Sequence, residues 1–316
     1  MPAPVHALTL VTGGAGFIGS HLIARLLEAG ERVRVLDDFS TGRREHLALP
    51  RERLELVEGD VRDLAVVREA AGGADTVIHL AALPSVERSI RAPLESHQVN
   101  VRGTLNILIA ARDAGVRRVV YAASSSAYGD TEVLPKVESM TVEPRSPYAV
   151  EKYVGELYGR VFGGVYGLET VSLRFFNIFG PRQDPTSEYS AVIPRFVGAM
   201  LAGRAPVIYG DGEQSRDFTY VADAVEATRL ACTAPEAVGR TINVATGRRV
   251  SLLQLIETIN GLLETTIAPV HEEARSGDVR HSLADISAAR ELLGYDPKVE
   301  LTDGLRRTIA WLRRSS

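Results

Sequence analysis

The sequence predicts an α/β fold, a doubly wound parallel sheet with a second, smaller α/β domain packed on it. Three observations carry this reading. Strand-like and helix-like segments alternate through the first half of the chain, a glycine-rich turn joins the first strand to the first helix, and the alternation loosens after about Phe175. Repeated β–α alternation lays strands parallel, covers both sheet faces with helices, and leaves a ligand crevice beyond the strands' carboxyl ends.

The elements follow in order. Leu8 to Thr12 is a short buried strand and Gly16 to Gly30 is helical. Strands are predicted at Arg32 to Asp37, Leu54 to Glu58 and Thr76 to Leu80. A long helix runs from Leu94 to Gly115, a strand from Arg118 to Ala123, and a second long helix from Pro147 to Tyr166. Residues 1–174 therefore form the sheet domain. Gly180 to Pro185 reads as a loop. A helix near Ile193 to Ala202, strands at Pro206 to Tyr209 and Thr241 to Val244, and helices at Leu252 to Leu263 and Thr302 to Arg314 complete the chain. Residues 175–316 form mainly the smaller domain, with some segments returning to the first, since no linker or repeat separates the halves.

Composition bounds the functional classes. The chain has 316 residues, 45% hydrophobic and 24% charged, with a formal net charge of −4. That is enough for a large core and gives no sign of nucleic-acid binding. One cysteine, Cys232, precludes an internal disulfide and fits a cytoplasmic protein; it lies in an apolar helical run and reads as core. No apolar run is long enough to span a membrane, and the fold signal begins at Leu8, leaving no room for a signal peptide.

Gly13, Gly16 and Gly19 are spaced as GxxGxxG between the first strand and helix. Glycines there allow a tight turn and close approach of backbone to a pyrophosphate, and the helix start supplies free N–H groups. The second strand ends in Asp37-Asp38. A carboxylate at that place accepts hydrogen bonds from ribose hydroxyls and repels a 2′-phosphate, which favours NAD over NADP. Arg43 and Arg44 just beyond are of the type that would suit a 2′-phosphate. Asp60 and Val61, after the third strand, are placed to meet the adenine edge. The sheet is thus of the Rossmann kind.

Tyr148 and Lys152 are four apart at the start of a predicted helix, so both lie on one face. A nearby ammonium stabilises tyrosinate, lowers the tyrosine pKa and makes a general base. Ser124-Ser125-Ser126 follow the fifth strand, where a substrate hydroxyl could be held.

These residues resemble the extended short-chain dehydrogenases/reductases, in the nucleotide-sugar epimerase branch. The resemblance rests on Thr12 to Gly19, His79-Leu80-Ala81-Ala82, Ser124 to Gly129, Pro147 to Lys152, Arg174 to Pro181 and Arg216 to Val221. It implies bound NAD, with Phe17, Ile18, Ser40, Gly42, Leu80, Ala81, Ala82, Asn100 and Phe175 among its contacts. It implies Tyr148 as base, Lys152 on the nicotinamide ribose, Ser124 on the sugar hydroxyl and Ser126 as an auxiliary contact. It also implies a homodimer through the two long helices. The related 4,6-dehydratases carry an Asp-Glu pair where this chain has Ser125-Ser126. Without those carboxylates the implied reaction is reversible oxidation at C4, turning of the 4-keto sugar, and return of hydride to its other face.

The resemblance extends to a UDP-sugar substrate. It places Arg216, Arg275 and Asn177 on the pyrophosphate, Val207-Ile208-Tyr209 along the uracil, and Asp278 near the uridine ribose. Pro84 and Ser85 fall near the sugar, as do Ala191, Val192 and Ser282. Thr186 to Pro194, Leu134 to Glu138 and Asp278 to Asp285 resemble epimerases that accept N-acetylated UDP-hexosamines. The small Ser282 and Ala191 open volume for a 2-acetamido group. Pro84 stands where that subgroup often has glycine, so its ring either narrows the pocket or stiffens the loop. The expected reaction is C4 epimerisation of UDP-glucose/UDP-galactose and their N-acetyl forms. UDP-glucuronate 4-epimerisation is the enzymatic alternative. A non-catalytic NAD-sensing protein is a third reading, opposed by the retained Tyr148 and Lys152. The seven histidines show no metal-ligand spacing, so no metal is expected.

Overall fold

The computed structural model describes residues 7–49, 51–184, 191–273 and 279–315. Seven parallel strands form the central sheet. They are β1 (Leu8–Thr12), β2 (Arg32–Asp37), β3 (Leu54–Glu58), β4 (Thr76–His79), β5 (Arg118–Ser124), β6 (Glu169–Phe175) and a later strand, Thr241–Val244. From one edge the order is Thr241–Val244, β6, β5, β4, β1, β2, β3. The chain winds outward from β1 to β3 and then crosses to β4, so β1 and β4 flank the topological switch where such sheets open a crevice.

The pleat explains how one strand feeds two cores. Leu10, Leu36, Val77 and Val119 pack on one face, while their neighbours Val11, Val35, Ile78 and Val120 pack on the other. The first face is covered by α2 (Leu64–Ala71), α5 (Gly103–Asp113) and α6 (Pro147–Tyr166). The helix α1 (Phe17–Glu28) covers the second. Strands buried on both faces are the near-continuous apolar runs that the sequence shows.

Between β4 and α5 lie α3 (Val86–Arg91), α4 (Pro93–His97) and a π turn, Gln98–Arg102. The helix expected from Leu94 to Gly115 is therefore interrupted. At the widened turn Asn100 points inward, accepting from Leu83 N at 2.8 Å and donating to Glu151 Oε2 at 2.7 Å. Such π turns insert a residue into the helical ladder and re-aim side chains.

The long helix α6 is well started and well stopped. Ser146 caps it by accepting from Ala149 N at 3.2 Å, Pro147 is its first residue, and Gly167 ends it in the left-handed conformation. Two features fix it to the sheet. At Gly155 a Cβ would come within 2.4 Å of the Tyr121 ring, so only glycine lets the helix lie this close to β5. Glu156 receives a bidentate pair from Arg174 of β6 (2.9 and 2.7 Å), with side chains only 1% and 4% exposed.

The second half of the chain supplies β7 (Ile178–Phe179), α7 (Val192–Leu201), β8 (Val207–Tyr209), β9 (Ser215–Arg216), β10 (Thr219–Tyr220) and α8 (Val221–Ala231). It continues with β11 (Thr241–Val244), which joins β6, then β12 (Val250–Ser251), α9 (Leu252–Leu263), β13 (Val270–Glu272), α10 (Ser287–Leu293) and α11 (Leu301–Ser315). The strands other than β11 form three two-stranded ribbons. The core under α1 runs on unbroken through α7, α8, α9 and α11. Cys232 sits half-buried just past α8 and donates to the Thr228 carbonyl at 3.3 Å; burial pushes its thiol up to about 12. Among the described residues no helix is long and apolar enough to cross a membrane.

Candidate active site

A cavity of about 650 Å³ opens at the carboxyl ends of β1, β4, β5 and β6. Its floor at β1 is the glycine turn. Gly13 has φ +70°, and a Cβ on it would lie 2.7 Å from Ala81 N; a Cβ on Gly19 would lie 2.3 Å from the Gly13 carbonyl. Glycine at these places lets the turn close tightly against β4 and the start of α1. Gly16 begins α1 without a side-chain cap, and the first turn carries no acidic residue. The leading N–H groups of a helix have no intrahelical acceptor and attract anions. Arg182 lines the same cavity with Nη1 buried and without a partner. An uncapped helix start, a turn packed too tightly for a side chain at Gly13 or Gly19 and an orphaned guanidinium nitrogen fit the diphosphate of NAD.

The structure brings Gly13, Gly16, Phe17, Ile18, Gly19, Asp37, Asp38, Ser40, Val61, Leu80, Ala81, Ala82 and Phe175 to the cavity wall. Asp37 also has partners within the protein. Its oxygens already accept from Ala15 N (2.8 Å) and Phe39 N (2.9 Å), and burial raises its pKa. One lone pair on each oxygen remains for a ribose hydroxyl. Asp38 is engaged by the amide and hydroxyl of Ser40 (2.9 and 2.7 Å). Arg43 pairs with Asp184 at 3.1 Å and Arg44 with Glu58 at 2.6 Å, so both cations have carboxylate partners of their own.

Three expected cofactor contacts stand back from the described wall. Gly42 packs behind it, where a Cβ would meet Ala15 and Asp37. Asp60 is turned to Arg62, which lowers its pKa. Asn100 is buried and acts one layer behind, through Leu83.

The chemical centre lies between β5 and α6. Lys152 Nζ donates to the Ala122 carbonyl at 2.8 Å, and the Ser124 hydroxyl stands near enough to Tyr148 to influence its phenol. Ser124 Oγ accepts from Ser126 N at 3.2 Å and lies 2.9 Å from Ser126 Oγ, which donates to it. With both lone pairs of Ser124 taken, its one hydrogen is left to donate. Burial dominates and holds Tyr148 up at about 12, Ser124 partly offsets it, and Glu151 adds to the rise. The expected depression of the tyrosine pKa is therefore not found in the protein alone. Burial also pushes Lys152 down to about 8, opposed by Glu151.

Further along the wall are Pro84, Asn177, Ala191, Arg216 and Ser282. Asn177 Nδ2 donates to the Asp217 carbonyl at 3.2 Å, and Arg216 Nη1 donates to the Ser215 and Arg280 carbonyls (3.0 and 3.1 Å). The described wall does not include Ser85, Val192, Val207, Ile208 or Tyr209. Ser85 caps α3 through Arg88 N, and Ile208 faces the core. Arg275 and Asp278 lie outside the described residues. The sequence did not single out Lys136, Arg182 or Val279, which also line the cavity. Lone lysines and arginines in irregular segments ordinarily read as solvated, and only their burial distinguishes these two.

His79 is structural. It is fully buried between Thr12 (2.7 Å) and Thr104 (3.0 Å), and desolvation pushes it down to about 3.

Residues 9–245 match the model of the NAD dependent epimerase/dehydratase family. A UDP-glucose 4-epimerase of Mycolicibacterium smegmatis is 41% identical over 312 residues, covering 98% of this chain and 99% of that protein. The UDP-N-acetylglucosamine 4-epimerase from Methanobrevibacter ruminantium, solved with UDP-N-acetylmuramic acid, superposes with TM-score 0.94 at 40% identity, covering 98% and 99%. The Thermus thermophilus UDP-glucose 4-epimerase complex with NAD gives TM-score 0.89 at 34% identity, covering 98% and 100%.

The cradle geometry makes a direct prediction. Gly19→Ala places a methyl against the Gly13 carbonyl, so the variant should lose bound NAD. Nucleotide release on denaturation, quantified against the wild type, checks this; equal NAD content contradicts it.

Proposed function

The chain belongs to the NAD dependent epimerase/dehydratase family, and we propose that within it the protein inverts C4 of UDP-glucose/UDP-galactose and of their N-acetyl forms. It is an NAD-dependent UDP-sugar 4-epimerase, an isomerase. The observation that carries the reading is the Ser124–Tyr148–Lys152 centre on a wall that also holds the glycine cradle.

NAD, when bound, supplies a reversible two-electron oxidation of a hydroxyl-bearing carbon. The protein's own groups manage the proton and the geometry. Ser124, whose hydrogen is left free to donate by its two bonds from Ser126, stands beside Tyr148 so that a sugar hydroxyl can reach both. Tyr148 takes the C4 hydroxyl proton and returns it. Its high pKa in the protein alone means that it gives up its proton only when positive charge is brought beside it. Lys152, held by the Ala122 carbonyl, is already in place, so the added charge would come from the oxidised nicotinamide of bound NAD. Ser125 and Ser126 stand where dehydration would require carboxylates, so the keto sugar has no group to expel its neighbouring substituent.

Inversion requires the 4-keto sugar to turn and present its other face to the same groups. The wall opposite Tyr148 must therefore be roomy. Small residues at Ala191 and Ser282 support acceptance of a 2-acetamido group in both orientations. Arg216 and Asn177, with Arg275, are proposed to hold the diphosphate about which the sugar turns; guanidinium suits phosphate through bidentate bonds.

A homodimer is proposed from the outer face of α6. Val150, Leu157, Val161 and Val165 form an exposed stripe at helical spacing, and Ile90 and Leu94 extend it. Leu94 is 71% exposed and Val165 66%. Apolar side chains contiguous over neighbouring helices mark a surface that a second copy can cover.

Three measurements test this reading. Tyr148→Phe should fold and keep NAD but lose roughly 10²–10⁴-fold in turnover, the range for a lost general base; wild-type turnover would sink the mechanism. Ser282→Tyr adds a ring to a packed wall, which such sites resist. It should lower kcat/KM for UDP-GlcNAc and UDP-GalNAc far more than for UDP-glucose and UDP-galactose, and an equal fall for both pairs contradicts the size argument. Light scattering at micromolar concentration should report a dimer in the wild type; a monomer overturns the assembly.

A further inference from the structure

Lys136 is an anomaly in the cavity. Its side chain is only 2% exposed, yet it lines the same wall as Ser126, Arg216 and Ser282. The ammonium makes one hydrogen bond, to the Gly129 carbonyl at 2.8 Å. Among the described residues it pairs with no carboxylate. Two of its three donors are thus uncommitted. A buried charge is ordinarily paired, because desolvation without a partner is costly. Holding the Gly129 carbonyl needs only a neutral donor, and the Tyr128 ring, 6.0 Å away at its centroid, is at the outer limit of a cation–π contact, so the charge is weakly compensated by the turn it secures. Burial and the nearby Arg216 both push this ammonium down, and Asp130 only partly offsets them. An anion arriving in the cavity would relieve that.

Its position identifies which part of a ligand it meets. Gly129 follows the 3₁₀ turn Ser125–Tyr128, which carries Ser126 against Ser124. On the other side, Lys136 N donates to the Leu283 carbonyl at 2.8 Å, and Leu283 is the neighbour of Ser282. Lys136 is therefore strung between the catalytic serines and the small residue of the sugar pocket, while Arg216 offers the diphosphate its own guanidinium.

We propose that Lys136 is a carboxylate-recognising subsite at the sugar end of the cavity, so that the substrate range includes UDP-hexoses bearing a carboxylate. This rests on the UDP-sugar reading above. A carboxylate is favoured over a hydroxyl or amide because only an anion compensates a buried ammonium through a charge-assisted bond.

The test uses the full-length protein with bound NAD. Its kcat/KM is measured for UDP-galactose and UDP-glucuronate, beside Lys136→Met and Lys136→Gln variants checked by thermal melting. The wild type should epimerise both. Each variant should lower the acidic-to-neutral kcat/KM ratio by about tenfold or more, the size of one charge-assisted hydrogen bond. Wild-type protein that epimerises UDP-galactose but not UDP-glucuronate overturns the subsite and leaves the UDP-sugar reading standing. An unchanged ratio in a folded variant also overturns it. Equal weakening of UDP itself, measured by calorimetry, assigns Lys136 to the diphosphate and overturns it too. Failure on every UDP-hexose sinks the underlying reading instead. The wild-type arm needs no variant, so the proposal can fail even if both substitutions unfold the chain.

Discussion

One buried hydrogen-bond chain fixes the catalytic helix to the cofactor end of the sheet. Ala81 N donates to Thr12 Oγ1 at 3.2 Å, and Thr12 lies 2.7 Å from His79 Nδ1. His79 Nε2 lies 3.0 Å from Thr104 Oγ1, which gives its hydrogen to the Asn100 carbonyl at 2.6 Å. Asn100 Nδ2 reaches Glu151 Oε2 at 2.7 Å, as does Ser96 Oγ. The proton assignments follow from one another. Because the Thr104 hydrogen is spent on Asn100, Thr104 can only accept from His79, so Nε2 carries the proton and Nδ1 accepts from Thr12. Burial keeps the ring neutral, which this tautomer requires. Glu151 immediately precedes Lys152, so the chain ends at the residues that do the chemistry.

Such networks are high-stakes. In a low-dielectric interior a satisfied network rigidifies its elements, while a broken one strands polar groups at considerable cost. Here it joins β1, β4, α5, the π turn and α6, and through Leu83 it also holds the loop that faces the cavity. The Arg174–Glu156 pair secures the same helix from the other side. Tyr148 and Lys152 are thus placed by buried groups distributed over the whole sheet. Burial raises the phenol and lowers the ammonium, and Glu151 raises both. The fold sets the resting protonation of the site as well as its geometry.

Much of this was legible in the residues because it follows from local rules. The alternation of apolar runs marked β1 to β5, the helix read from Pro147 to Tyr166 matches α6, and Gly13, Gly16 and Gly19 marked the cradle. Tyr148 and Lys152 share a helix face by spacing alone. What escaped depended on contacts between distant segments. The π turn at Gln98–Arg102 answers to Leu83 and Glu151, not to its own sequence. In the protein alone burial raises the tyrosine pKa, and desolvation of this kind is not visible in sequence as a helical neighbour is. Lys136 looked like any charged loop residue until Gly129 and Leu283 were found around it. Val207–Tyr209 was assigned by resemblance, but the pleat of β8 turns Ile208 into the core.

The central claim is that a single centre removes hydrogen from C4 of a UDP-hexose and returns it to the other face without release. The direct measurement is conversion of UDP-[4-²H]galactose in ordinary water, followed by NMR of both epimers, with absorbance at 340 nm recorded throughout. Deuterium should remain at C4 in substrate and product alike, with no steady accumulation of reduced cofactor. Loss of the label to solvent during epimerisation would contradict it.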